Sequence, residues 1–222
     1  MQKSELDTLR ATLLFSGIST EEIGRLCRLL HAGERHYAKG SFLITAGDPI
    51  SAFALLLSGA VQVFMNDMDG NRIVMANVTP GTLFAEALAC SDVSESPIYA
   101  VSTQESTVLW LQSAFLSNPA FFADPLCARF GANFIRSMAD RSLRFNDRVQ
   151  ILSKKSIRDK LITFFSQQIH QQKSRQIVID MDRSALADYL GVERSALSRE
   201  LSRMQHAGIL QFHKNHFTIF HT

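Results

Sequence analysis

The 222-residue chain contains three cysteines, one tryptophan and no apolar run near the roughly 20 residues that cross a bilayer. Cys27, Cys90 and Cys127 are odd in number and widely scattered, which excludes a disulfide framework and the close pairing of zinc or iron–sulfur ligands. They read as small, mostly buried apolar residues. His31, His36 and Cys90 have no spacing that compels a haem. The sequence lacks a Ser/His/Asp set, a phosphate-cradling glycine loop and any nucleophile with an evident base, so an enzyme is not expected. Glu5, Asp7 and Arg10 interrupt what would otherwise be a leader. The expectation is a soluble, cytoplasmic protein without a membrane partner.

Charge of one sign is also scarce overall, at a net +2, but its distribution is uneven. Residues 148–222 hold twelve Lys and Arg against six Asp and Glu, whereas residues 1–147 hold eleven against fifteen. A basic module is tied to an acidic one, and within the basic one lies a segment with two helical repeats. Asp182 is placed to cap a first helix with apolar Ala185, Leu186 and Leu190, Gly191 permits a tight turn, and a second helix buries Ala196, Leu197, Leu201 and Met204. That pattern leaves Arg194, Ser195, Ser198, Arg199 and Arg203 outside, as in a helix-turn-helix whose second helix enters a major groove. A guanidinium fits both acceptors of a guanine edge, and short serines let the helix approach.

Between Tyr37 and Leu111 the chain breaks into short apolar or alternating runs separated by Lys39-Gly40, Gly47-Asp48, Ser58-Gly59, Asp69-Gly70-Asn71 and Pro80-Gly81. Turns about ten residues apart predict an antiparallel sandwich or roll, with strands at 53–57, 61–64, 72–78 and 108–111. Asp67 to Asn71 reads as a hairpin turn because the remaining acidic ligands of a calcium loop do not follow. From Pro125 to Leu152 a helix is expected, with Cys127, Gly131, Phe134, Met138, Phe145, Val149 and Leu152 forming a narrow seam broken at Arg141 and Ser142. Such a seam suits a second copy of itself, the alternative being a helix packed on its own roll. Beyond it, Ile157, Leu161, Ile162 and Phe165 mark another helix, 176–180 a strand, and 208–212 with 216–220 a two-stranded wing around Lys214. Lys214 and the nearby histidines are placed either to touch phosphate or to form an exposed turn.

The succession Lys39-Gly, Gly47-Asp, Leu57-Ser-Gly-Ala-Val61, Asp69-Gly-Asn-Arg72 and Pro80-Gly-Thr-Leu-Phe-Ala-Glu-Ala87, followed by a long helix and Asp182 to Met204, resembles the Crp/Fnr transcription regulators. The resemblance implies an α+β chain with a sensor roll at 1–124 (a cyclic-nucleotide-binding-like, jelly-roll or double-stranded β-helix domain), a dimerisation helix at 125–152 and a winged helix-turn-helix at 153–222. It implies a homodimer on pseudo-palindromic promoter DNA, working with RNA polymerase. Arg194, Ser195, Ser198 and Arg199 fall on its base-reading positions and Arg183 and Ser184 on positions that hold phosphate. Ser195 stands where many relatives carry glutamate.

Cyclic-nucleotide binders of this family use a Gly-Glu-Leu turn and then an Arg-Ser pair for the cyclic phosphate. Here the first is Ala85-Glu86-Ala87 and the second Ser96-Pro97, so the phosphate's cation is missing. The expected effector is therefore a small organic or aromatic molecule other than cyclic AMP, in a pocket lined by Phe84, Ala85, Glu86, Ala87, Ser96, Pro97 and Tyr99. Leu143 and Arg144 are expected to complete it. No cofactor or metal is expected, and a ligand-independent or redox-responsive regulator with the roll as scaffold is the alternative.

Overall fold

The computed structural model describes residues 3–221, which divide near Ser137 into two compact units. In the first, helices α1 (Lys3–Ala11) and α2 (Thr20–Leu29) precede eight strands: β1 (Gly33–Tyr37), β2 (Phe42–Ile44), β3 (Ala52–Ser58), β4 (Val61–Asn66), β5 (Arg72–Val78), β6 (Leu83–Phe84), β7 (Tyr99–Ser102) and β8 (Ser106–Gln112). A four-residue helix, α3 (Glu86–Ala89), lies between β6 and β7. The strands form two antiparallel sheets, β1-β8-β3-β6 and β2-β7-β4-β5, which make the expected roll. Ala54, Leu56, Val63, Phe84, Ile98, Ala100 and Val108 pack into one cluster inside it, with Tyr37, Leu88 and Trp110 around them.

The glycine-marked turns are where the spacing puts them. Asp67 accepts the backbone N–H groups of Asp69 and Asn71, at 3.0 and 2.8 Å, and Gly70 has φ +82°, so the 67–71 segment is the hairpin between β4 and β5. At Gly59, between β3 and β4, φ is +88° and a Cβ would lie 2.2 Å from the Glu105 carbonyl oxygen. Here backbone angle and close approach both require glycine.

Helix α4 (Pro125–Leu152) begins in this unit. Its Phe130 and Phe134 join Phe15, Phe53 and Phe115 with ring centroids 5.2–6.4 Å apart. Asn133 donates to the carbonyls of Leu14 and Ser16. Cys127, Gly131 and Phe134, expected in the intermolecular seam, are buried against their own unit. The physical reason is the aromatic supply: Phe115 packs on Phe130 and Phe134, and Phe122 lies where a Cβ on Gly131 would fall. Further along, the apolar residues exposed on α4 are Ile135, Leu143, Phe145, Val149 and Leu152.

The second unit is built from the end of α4, α5 (Ile157–Gln172), β9 (Gln176–Val178), α6 (Arg183–Leu190), α7 (Arg194–His206), β10 (Leu210–His213) and β11 (His216–Ile219). The strands form one antiparallel sheet in the order β10-β11-β9. Ile151, Leu161, Phe164, Phe165, Leu186, Leu190, Leu197 and Leu201 form its core. Ala187 is buried where Ala185 was expected, because α6 is turned so that Ala185 faces out; Phe164 is buried beside Phe165.

Candidate nucleic-acid interface

Helix α6 starts at Asp182, whose carboxylate accepts the Ala185 N–H at 2.8 Å, and ends at Gly191 with φ +61°. That left-handed residue turns the chain into α7 within three residues. A Cβ at Gly191 would also lie 3.0 Å from Leu152, so side chains are disfavoured there twice over. The end of α6 carries a cation that the sequence pattern did not reveal: Lys160 on α5 donates to the carbonyls of Leu190 at 2.9 Å and Gly191 at 3.3 Å. Its charge meets the negative end of the helix dipole.

Helix α7 buries Leu197, Leu201 and Met204 and leaves Arg194, Ser195, Ser198, Arg199 and Arg203 exposed. Its N-cap is Glu193, a residue that sequence reasoning passed over although it directly precedes the helix. The Glu193 carboxylate accepts the Ser195 N–H at 3.1 Å, the Ala196 N–H at 3.2 Å and the Ser195 hydroxyl. Arg199 donates to the same hydroxyl at 3.1 Å and lies 4.0 Å from the carboxylate. The Ser195 bonds, ahead of Arg199, hold the Glu193 carboxyl below its usual range, so it is an anion. Ser198 donates back to the Arg194 carbonyl, and Arg203 pairs with Glu200 at 3.4 Å.

Ser184 is exposed at the start of α6. Arg183 points elsewhere: it donates to the Lys214 carbonyl at 3.2 Å and lies over the rings of Phe212 and Phe217, 5.1 and 5.6 Å from their centroids. Lys214 itself has φ +54° at the tip of the β10–β11 hairpin. Arg183 thus ties the wing tip to the helix-turn-helix, and burial pulls its pKa down.

Seven of the residues expected to bind an effector, Phe84, Ala85, Glu86, Ala87, Ser96, Pro97 and Tyr99, lie in the roll's unit. Phe84 belongs to the apolar core and Glu86 is buried at the start of α3. Ser96 is buried, with its hydroxyl donating to Ile98 O at 2.9 Å and accepting Ile98 N–H at 3.1 Å. Ala87 and Pro97 are exposed. Tyr99 is on the outer side of β7, stacked on Phe64 at 5.1 Å, because strand alternation turns its neighbour Ala100 inward. Leu143 and Arg144 are exposed residues of the other compact unit. Ala85 is notable for its backbone: φ is +61°, a left-handed angle on a residue with a Cβ. The turn keeps the conformation that a glycine would favour.

All three thiols are raised above their ordinary pKa by burial, Cys90 to about 11 with the Glu86 carboxylate adding to the effect. Among the described residues no group of His, Cys, Asp and Glu is arranged to hold a metal. No described helix is long and apolar enough to cross a membrane.

Two family descriptions match the two parts of the chain. Residues 34–118 match the cyclic nucleotide-binding domain and residues 159–221 the Crp-like helix-turn-helix domain. The chain is 24% identical over 199 residues to the transcriptional activator protein anr of Pseudomonas aeruginosa, covering 87% of this chain and 78% of that one. Among solved structures, DNR of the same organism aligns with a TM-score of 0.51 at 16% identity, covering 99% and 95%. The c-di-GMP responsive regulator CLP of Xanthomonas campestris aligns at 0.52 and 15% identity, covering 92% and 100%. With a nucleotide-binding-type roll followed by that helix-turn-helix, the chain belongs to the Crp/Fnr-type DNA-binding transcription regulators.

Proposed function

We propose that the protein works as a homodimer on a pseudo-palindromic promoter site in the cytoplasm, in contact with RNA polymerase, under the control of a small molecule other than cyclic AMP. The observation that carries the DNA reading is the exposed face of α7, where Arg194, Arg199 and Arg203 stand beside Ser195 and Ser198 over a buried stripe. Arg199 reads a guanine edge; Arg194, Arg203, Ser198 and Ser184 supply further base and phosphate contacts. Arg183 serves by fixing the wing, whose Lys214 is exposed.

The dimer reading is supported by α4. Ile135, Met138, Phe145, Val149 and Leu152 follow three- and four-residue steps, with Ser142 filling the remaining heptad position. Phe145 is 67% exposed in the single chain. A helical seam of this kind is covered by its own copy in a coiled coil, and twofold symmetry then sets two α7 helices about one DNA turn apart.

Against cyclic AMP stand the missing arginine beside Ser96 and the spent Ser96 hydroxyl, which remove the cation and the hydroxyl donor that a cyclic phosphate would meet at this turn. Against redox control by thiolates stand the raised cysteine pKa values, since the thiolate is the reactive form. The test is operator affinity at fixed salt, with the operator taken from duplex selection, measured across a metabolite panel that includes cyclic AMP. A change with an organic or aromatic metabolite supports the reading; a change with micromolar cyclic AMP, or with none of the panel, overturns effector control as stated.

A further inference from the structure

Resting on α7 as the reading helix, we propose that Glu193 is a specificity-determining residue that accepts a hydrogen bond from the exocyclic amine of a cytosine next to the guanine read by Arg199. An ionised carboxylate only accepts, with about four lone-pair positions on its two oxygens. Three are taken in the free protein, by the Ser195 N–H, the Ala196 N–H and the Ser195 hydroxyl. The group is nevertheless 68% exposed, so the remaining acceptor position is open to a ligand.

The chemistry of the major groove then chooses the base. Guanine presents two acceptors, thymine an acceptor and a methyl, and adenine an acceptor beside its donor, whereas cytosine presents a donor alone. The geometry chooses the neighbour. The carboxylate and the Arg199 guanidinium are 4.0 Å apart, close to the roughly 3.4 Å rise between adjacent base pairs. Ser195 bridges the two, accepting from Arg199 at 3.1 Å while donating to Glu193, so both groups are held before DNA arrives. An anion on this face also repels phosphate, which lowers affinity for unrelated duplexes and gains discrimination by the same charge.

The experiment is selection from a randomised duplex library with the full chain, read by sequencing, for the wild type, Glu193→Ser and Glu193→Gln. Serine is itself a good N-cap, so Glu193→Ser preserves α7 while removing the carboxylate, and thermal melting checks this. Glu193→Gln keeps the side-chain length should the serine variant fail to fold. The wild type is expected to enrich a guanine with an adjacent cytosine. Glu193→Ser keeps the guanine, loses a roughly tenfold cytosine preference at that one position and binds random duplex more tightly; Glu193→Gln moves the same position toward adenine. Unchanged enrichment in both variants overturns the role of Glu193. Enrichment of no site by the wild type, both alone and with the metabolite panel present, overturns instead the DNA-reading role of α7, and this inference with it.

Discussion

The ammonium of Lys160 lies 2.9 Å from the carbonyl oxygen of Leu190, so a residue on α5 closes the C-terminal end of α6. The contact spans thirty residues of sequence and stands at the turn that aims the reading helix. Lys160→Met keeps the apolar stem and removes the charge. It is expected to cost about 1 kcal/mol, the scale of a cation at a helix C-terminus. Urea unfolding of the two proteins measures it; equal midpoints with equal slopes would show that the contact contributes nothing.

Ala85 carries a left-handed backbone that costs an L-residue roughly 1–2 kcal/mol. Glycine removes that strain but loses a methyl group from the roll and adds chain entropy to the unfolded state. The balance predicts that Ala85→Gly stabilises by about 0.5 kcal/mol. Ala54→Gly, in an extended and fully buried position of β3, destabilises by about 1 kcal/mol or more. Opposite signs in parallel denaturation curves are the expected result.

Much of the architecture is legible in the residues. Glycine-bearing turns about ten residues apart delimit the strands, and helical apolar spacing marks α5, α6 and α7. What a face packs against is harder to read. Cys127, Gly131 and Phe134 have the spacing of a seam, yet all three are buried within the single chain, Gly131 and Phe134 beneath the aromatic segment at 115–122, and periodicity alone cannot say which partner an apolar stripe has. The site divides in the same way. The exposed face of α7 follows from local spacing, as Arg194 and Arg199 show. Arg183 on the wing depends on contact with Lys214, thirty-one residues on, and only the folded chain reveals it. The left-handed angle at Ala85 has no signature in an alanine.

Burial, and then the Glu86 carboxylate, raise the Cys90 thiol to about 11 from an ordinary 9.0. The folded chain therefore keeps a proton that the unfolded chain loses. The resulting stability is complete below pH 9 and is lost as pH rises through about 11. At pH 8 the folded thiolate population is roughly a hundredfold smaller than in the unfolded chain, and alkylation slows in proportion. Mass spectrometry of the Cys90 peptide after iodoacetamide, with and without urea, gives the ratio. Equal rates would return a thiol switch to consideration.

Phe145 is two-thirds exposed, so its replacement leaves the single chain's own packing intact. In the proposed coiled coil it is covered from both sides. Phe145→Asp replaces a buried ring by a charge and is expected to raise the dimer dissociation constant at least about a hundredfold. Sedimentation equilibrium reads this directly, and circular dichroism confirms that the helix content is kept. A variant that remains dimeric at the wild-type concentration would place the intermolecular contact elsewhere.

Arg199 and Arg203 share a helix face but are expected to fail differently. Arg199 is held by Ser195 and faces the groove edge in the proposed complex, so Arg199→Ala should cost about 1–3 kcal/mol of sequence-specific binding and relax selectivity at one guanine. Arg203, paired with Glu200 nearer the helix end, should contribute mainly phosphate contact. Arg203→Ala then weakens selected and random duplex alike and reduces the salt slope by about 1. Anisotropy titrations of both duplexes at several salt concentrations distinguish the two losses. If Arg199→Ala lowered both affinities equally, its guanidinium would be a phosphate contact and the base would have to be read from Arg194, the exposed arginine that opens α7.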